Sequence, residues 1–66
     1  MDYHIIKISR NKKQYLDLLL LGDEQEIMID RYLERGDLFV LEDNGIKAVC
    51  VVTKEGPEIC ELKNIA

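Results

Sequence analysis

The spacing of apolar residues changes rhythm along the chain, and each rhythm predicts an element. Tyr3 to Ile8 is rich in β-branched residues with partial alternation, which marks a strand. Ile6 and Ile8 share one face with His4; Tyr3, Ile5 and Lys7 share the other. Lys7 predicts an edge position, because a charge there discourages pairing with another molecule. Ser9 to Lys13 is a polar break. Asn11, with Gln14 three residues on, predicts a capping box for a short helix over Gln14 to Leu21. Its leucines and Tyr15 cover more than one face, so burial on more than one side is expected. Gly22-Asp23 ends that helix. Asp23 and Glu26 then predict a second capping box and a helix over Asp23 to Arg35. There Met28, Ile29, Tyr32 and Leu33 recur at helical spacing, opposite Asp30, Arg31 and Glu34. Acidic residues fill the first turn and Arg35 the last, as the helix dipole favours. Gly36 stands where a left-handed terminator is expected.

Beyond Gly36 the pattern is that of strands. Asp37 to Glu42 is apolar on both faces. Asp43-Asn44-Gly45 predicts a hairpin turn, since Asn-Gly adopts positive φ at low cost. In Ile46 to Thr53, Ala48, Cys50 and Val52 face one way while Val49 and Val51 face the other. Lys54 to Pro57 is the next turn, and Pro57 fits only where its nitrogen owes no ladder bond. Glu58 to Ala66 reads as a last strand, expected to continue past Ala66. The order predicts an α+β fold: strand, helix, helix, then a three-stranded antiparallel meander, forming a single partial domain over residues 1–66. An antiparallel sheet with one wet face should alternate apolar and polar residues. Leu38–Leu41 and Val49–Val52 do not alternate. The two helices account for one covered face. The other is expected to be covered by further protein or by a second copy.

Composition narrows the partners. The net charge is −4 over 66 residues, and it is uneven. Lys7, Arg10, Lys12 and Lys13 cluster early, whereas Asp23, Glu24, Glu26, Asp30, Glu34 and Asp37 follow. An acidic chain is ill suited to phosphate backbones, so no nucleic-acid partner is expected. A cationic small molecule suits the acidic stretch better, although charged residues on short helices are also simply solvated faces. The apolar run Leu18 to Leu21 is too short for a bilayer, and no apolar leader is visible. A cytoplasmic location without a membrane partner is expected. Cys50 and Cys60 are too few for a disulfide framework and lack the spacing of a zinc site. They are expected to be buried free thiols, with a bridge across the hairpin as the alternative. His4 is expected at or near the surface.

Two stretches support a resemblance. Asp30 to Leu41 is a helix running into a strand that begins after a glycine. Cys60 to Ala66 is similar to an E-L-x-x-I-A-V strand. With the element order, they resemble the amino-terminal half of the GCN5-related N-acetyltransferase (GNAT) superfamily. The resemblance implies acetyl-CoA as cofactor and a small amine as acceptor. It implies that Glu61 is a general base, the other reading being a cross-strand charge partner. It implies that the backbone of Asn64, Ile65 and Ala66 lines the acyl group, and that Asp23 and Glu24 shape the acceptor site. The family's Q/R-x-x-G-x-G/A loop, which leads into a helix start that holds the CoA pyrophosphate, does not occur in these 66 residues. The chain is therefore expected to be the amino-terminal portion of such an enzyme, not competent alone, and either homo-oligomeric or complemented by a missing second half. The alternative is a stand-alone α+β interaction module that homodimerises through its exposed sheet.

Overall fold

The structure, a computed structural model, describes residues 3–66. Strand β1 (His4–Ile8) leads through a 3-10 turn (Lys12–Tyr15) into helices α1 (Leu16–Gly22) and α2 (Glu26–Tyr32). Strands β2 (Asp37–Glu42), β3 (Ile46–Lys54) and β4 (Cys60–Ile65) follow. All four strands pair antiparallel in the order β1-β2-β3-β4, so β1 and β4 are the two edges. This is the expected α+β arrangement, with β1 as the meander's fourth member.

The register sorts the strands into two faces. Leu38, Val40, Val49 and Val51 stand on one face and are buried under Leu19, Ile29 and Leu33 of the helical layer. Ile5, Phe39, Leu41, Ala48, Cys50 and Ile65 line an apolar hollow on the other face. Among the described residues nothing covers it, and Ile5 is 74% exposed. The lack of alternation in β2 and β3 thus has a direct cause: both faces are apolar and only one is packed.

The helical layer departs from expectation in ways with physical causes. Asn11 makes no side-chain cap. Its backbone is left-handed (φ 50°), and its carbonyl accepts the Gln14 N–H at 3.0 Å, which tightens the entry into a 3-10 turn. Lys12 is drawn inward from the polar break. Its ammonium donates to the carbonyls of Leu33 (3.0 Å), Glu34 (3.1 Å) and Gly36 (2.8 Å) beyond the end of α2. Three donors thereby meet three carbonyls of the turn that links α2 to β2. Asp23 does not cap α2, which begins at Glu26 and ends at Tyr32. Gly36 is not left-handed; the only positive-φ glycine among the described residues is Gly45. Glycine is required at position 36 for space instead, since a Cβ there would stand 2.9 Å from both the Tyr32 carbonyl and Val51. Met28 is exposed, so the buried line of α2 and the turn after it is Ile29, Tyr32 and Leu33. Leu21 is likewise exposed, while Leu19 is fully buried.

The thiols also differ from expectation. Cys60 is exposed and Cys50 half-buried, and both are free. Cys50 pairs with Ile65, and Cys60 with Lys54, four positions along β3. That separation is about 13 Å, well beyond the roughly 7 Å a disulfide spans. Among the described residues no helix is long and apolar enough to cross a membrane.

Candidate functional site

Strand β4 is irregular. Val51 pairs with Asn64 but Val52 pairs with Leu62, so Lys63 is an extra residue, a β-bulge. Beyond it, Ala66 and Val49 exchange both backbone hydrogen bonds, each at 3.0 Å. Antiparallel ladders alternate, so the neighbouring pair Cys50–Ile65 is of the non-bonded kind. The Ile65 N–H and C=O therefore turn to the outer edge of the sheet. The carbonyl meets the end of α1 there: a Cβ on Gly22 would stand only 2.8 Å from it.

Asn64, one residue earlier, points into the helical layer and is 3% exposed. Its amide nitrogen donates to the Leu19 carbonyl at 2.8 Å and to the Tyr32 hydroxyl at 3.0 Å. The Tyr32 hydroxyl in turn donates to Asp23 Oδ2 at 3.2 Å. Asp23 Oδ1 accepts the Gln25 N–H at 3.3 Å. Burial, and then the nearby Asp23 charge, push the Tyr32 phenol above its ordinary pKa, against the opposing hydrogen bond from Asn64. Asn64 Oδ1 is the one buried side-chain polar atom among the described residues without a hydrogen-bond partner. It lies against Gly22, in the space that a Cβ there would need.

The sequence-predicted residues therefore separate into groups. Asp23 and Asn64 are brought together through Tyr32. Ile65 adjoins them at the edge of β4, and Ala66 has its N–H taken by Val49. Glu24 is exposed beside Asp23. Glu61 lies opposite Thr53 at the other end of β4, exposed, and pairs with Lys63 at 2.9 Å. Tyr32 and the side chain of Asn64 are parts of the site that sequence reasoning misses. The available signal is a polar residue, Asn64, in a strand expected to be apolar on its inner face, but the bulge hides which face that is.

Other charges brace the scaffold. Lys13 bridges Glu26 and Asp30 of α2, each at 2.7 Å, and these hydrogen bonds, Asp30 first, hold its pKa well above the ordinary lysine value. Glu55 accepts hydrogen bonds from Thr53 and Arg35, which hold its carboxyl below its ordinary 4.5.

No family model matches the chain. Over 51 residues, 76% of its length, it is 39% identical to the uncharacterized N-acetyltransferase YvbK of Bacillus subtilis (strain 168), of which it spans 33%. It is similar to the structure of an IAA acetyltransferase from Bacillus cereus ATCC 14579, with TM-score 0.83 and 32% identity over 98% of this chain and 43% of that one. It is also similar to a GNAT family acetyltransferase from Elizabethkingia anophelis with acetyl-CoA bound, with TM-score 0.87 and 34% identity over 97% of this chain and 42% of that one. The chain thus spans about a third of the curated relative and about two fifths of each solved one.

Proposed function

The chain is related to the GNAT superfamily, and from that relationship we propose that it forms the part of an acetyl-CoA-dependent N-acetyltransferase where the acyl group meets an amine. The observation that carries this reading is the outward-turned Ile65 backbone beside the Gly22–Asp23 junction. Acetyl-CoA, when bound, supplies an activated acetyl thioester. An N–H fixed toward the acyl oxygen stabilises the negative charge that develops as an amine adds. The Ile65 N–H is such a donor, and its neighbours Asn64 and Ala66 are tied to β3, which keeps it in place. An attacking amine must also lose a proton. Glu61, the only carboxylate of β4, is assigned as the acceptor of that proton. Asp23 and Glu24 give the junction the negative charge that suits a cationic acceptor.

The residues fit the acyl end of acetyl-CoA. Among the described residues no glycine-rich turn opens a helix, so none offers the usual cradle for a diphosphate. The reading is therefore of one portion of a domain, with turnover by the chain alone not expected. The test is an NMR titration of the whole chain with acetyl-CoA, using ADP as control. The Ile65 amide resonance is expected to move with acetyl-CoA and not with ADP. An Ile65 amide unmoved at saturating acetyl-CoA overturns the reading.

A second reading is favoured by one observation: Ile5 and Ile65, on the open face, are 74% and 66% exposed. Two copies packed through this face would be a homodimeric module. Sedimentation equilibrium tests it. A dimer that Ile5→Lys dissociates supports this reading, and a monomer at every concentration removes it.

A further inference from the structure

The Asp23 carboxylate ends a hydrogen-bond chain in which every proton direction is fixed. The Leu19 carbonyl can only accept, so the Asn64 group 2.8 Å from it must be the NH2. The same nitrogen donates to the Tyr32 oxygen at 3.0 Å. With that oxygen accepting, the single Tyr32 proton is directed to Asp23 at 3.2 Å. The chain starts on a backbone carbonyl of α1, crosses to β4, returns to α2 and ends at the α1–α2 junction. A half-buried carboxylate held this way by Tyr32 and the Gln25 N–H has little freedom to turn. It is held one residue from Gly22, which abuts the Ile65 carbonyl at the outer edge of β4.

We propose that Tyr32 is a positioning residue that aims the Asp23 carboxylate beside the β4 edge, where that carboxylate receives the cationic end of the acceptor. This rests on the reading of the chain as the acyl-and-amine portion of an N-acetyltransferase. The alternative is that the same bonds only hold α2 to β4. The two differ in what happens when the phenol oxygen is removed and the anchor at Leu19 is kept. Tyr32→Phe does this, because Asn64 retains its bond to the Leu19 carbonyl. The raised pKa of Tyr32 is consistent with a phenol that keeps its proton for Asp23 at neutral pH.

The test uses the whole chain, with butylamine as probe and butanol as the neutral control. Binding is followed by the Asp23 carboxyl carbon shift, and backbone order by amide hydrogen exchange. The unmodified chain is expected to show an Asp23 shift with butylamine and none with butanol. Tyr32→Phe is expected to weaken butylamine binding about tenfold, the loss of one hydrogen bond to a charged group. It should also speed Gln25 amide exchange while the β2 and β3 amides keep their protection. Asp23→Asn should weaken binding at least as much, and the double variant no further than Asp23→Asn, since the phenol acts only through the carboxylate. Glu24→Gln, which lies outside the hydrogen-bond chain, should change binding less.

Three results overturn the proposal. One is an Asp23 resonance indifferent to butylamine. Another is Tyr32→Phe binding butylamine as tightly as the unmodified chain. The third is loss of protection spread evenly over the sheet in Tyr32→Phe, which marks a purely structural phenol. The outcome at Asp23 is separate from the acetyl-CoA titration at Ile65, so failure of the broader reading is seen independently.

Discussion

The Asn64 amide nitrogen donates to the Leu19 carbonyl across 2.8 Å, joining the last strand to a helix 45 positions earlier. No other residue of β4 is as deeply placed under the helical layer. Replacing Asn64 by Leu removes the donor to the Tyr32 hydroxyl and one of two donors to the Leu19 carbonyl, which keeps the Asp23 N–H at 3.0 Å. A loss of about 2–3 kcal/mol is expected from denaturant unfolding. Asn64→Asp should cost more at neutral pH, because it sets a carboxylate against the Leu19 carbonyl. An Asn64→Asp variant as stable as the native chain would show that the amide is not oriented as described.

Lys12 supplies a second long-range tie. The residue is 8% exposed, and its ammonium meets the carbonyls of Leu33, Glu34 and Gly36. Lys12→Met keeps the stem and removes all three donors, so a loss of about 3 kcal/mol is expected. Lys13→Met, one residue on, removes only exposed ion pairs and should change the unfolding midpoint much less. Equal effects of the two substitutions would deny Lys12 its role at the end of α2.

Two glycines are required for space and one for conformation. A Cβ on Gly22 would collide with Asn64 Oδ1, and one on Gly36 would stand 2.9 Å from the Tyr32 carbonyl. Both substitutions to Ala should destabilise by about 1–3 kcal/mol through forced displacement of packed groups. Gly45 has φ +110° and nothing within 4 Å of its notional Cβ, so Gly45→Ala costs only backbone strain. Hydrogen exchange distinguishes them. Gly22→Ala should loosen α1 and the end of β4, whereas Gly45→Ala should loosen only the β2–β3 turn.

Glu55 gives a pH dependence with a definite sign. Hydrogen bonds from Thr53, and then from Arg35, lower its pKa in the folded chain from the ordinary 4.5. A carboxyl depressed on folding binds its proton more tightly when unfolded. Its contribution is therefore complete above pH 4.5 and is lost as pH falls through the folded value. The melting temperature of the native chain should exceed that of Glu55→Gln at neutral pH, and the difference should close under acid. A difference that widens as pH falls would contradict the assignment.

Much of this is legible in the sequence, for reasons visible in particular residues. Asn44-Gly45 carries its own turn chemistry, and φ values of 55° and 110° follow from it. From Ala48 to Thr53 the two faces of β3 follow the period-two pattern of the sequence, and only the extra residue at Lys47 interrupts it. The start of α2 is not legible, because Asp23 has the chemistry of a cap while its carboxylate answers instead to Tyr32, nine residues away. Lys12 reads as a solvated lysine because nothing local distinguishes an ammonium that will find three carbonyls more than 20 positions along the chain. The inward turn of Asn64 is hidden by the extra residue at position 63, which shifts the alternation of β4 midway.

That extra residue also limits how the sheet can grow. A strand arriving at the outer edge of β4 meets two short ladders, one before Lys63 and one after it, which are out of phase by one residue. A regular strand can match either segment but not both. Edge-to-edge pairing with a regular strand is thus frustrated here, although Leu62 and Ile65 are exposed. A polypeptide with its own compensating kink can follow the edge throughout, so the irregularity acts as a lock on which chain may extend the sheet.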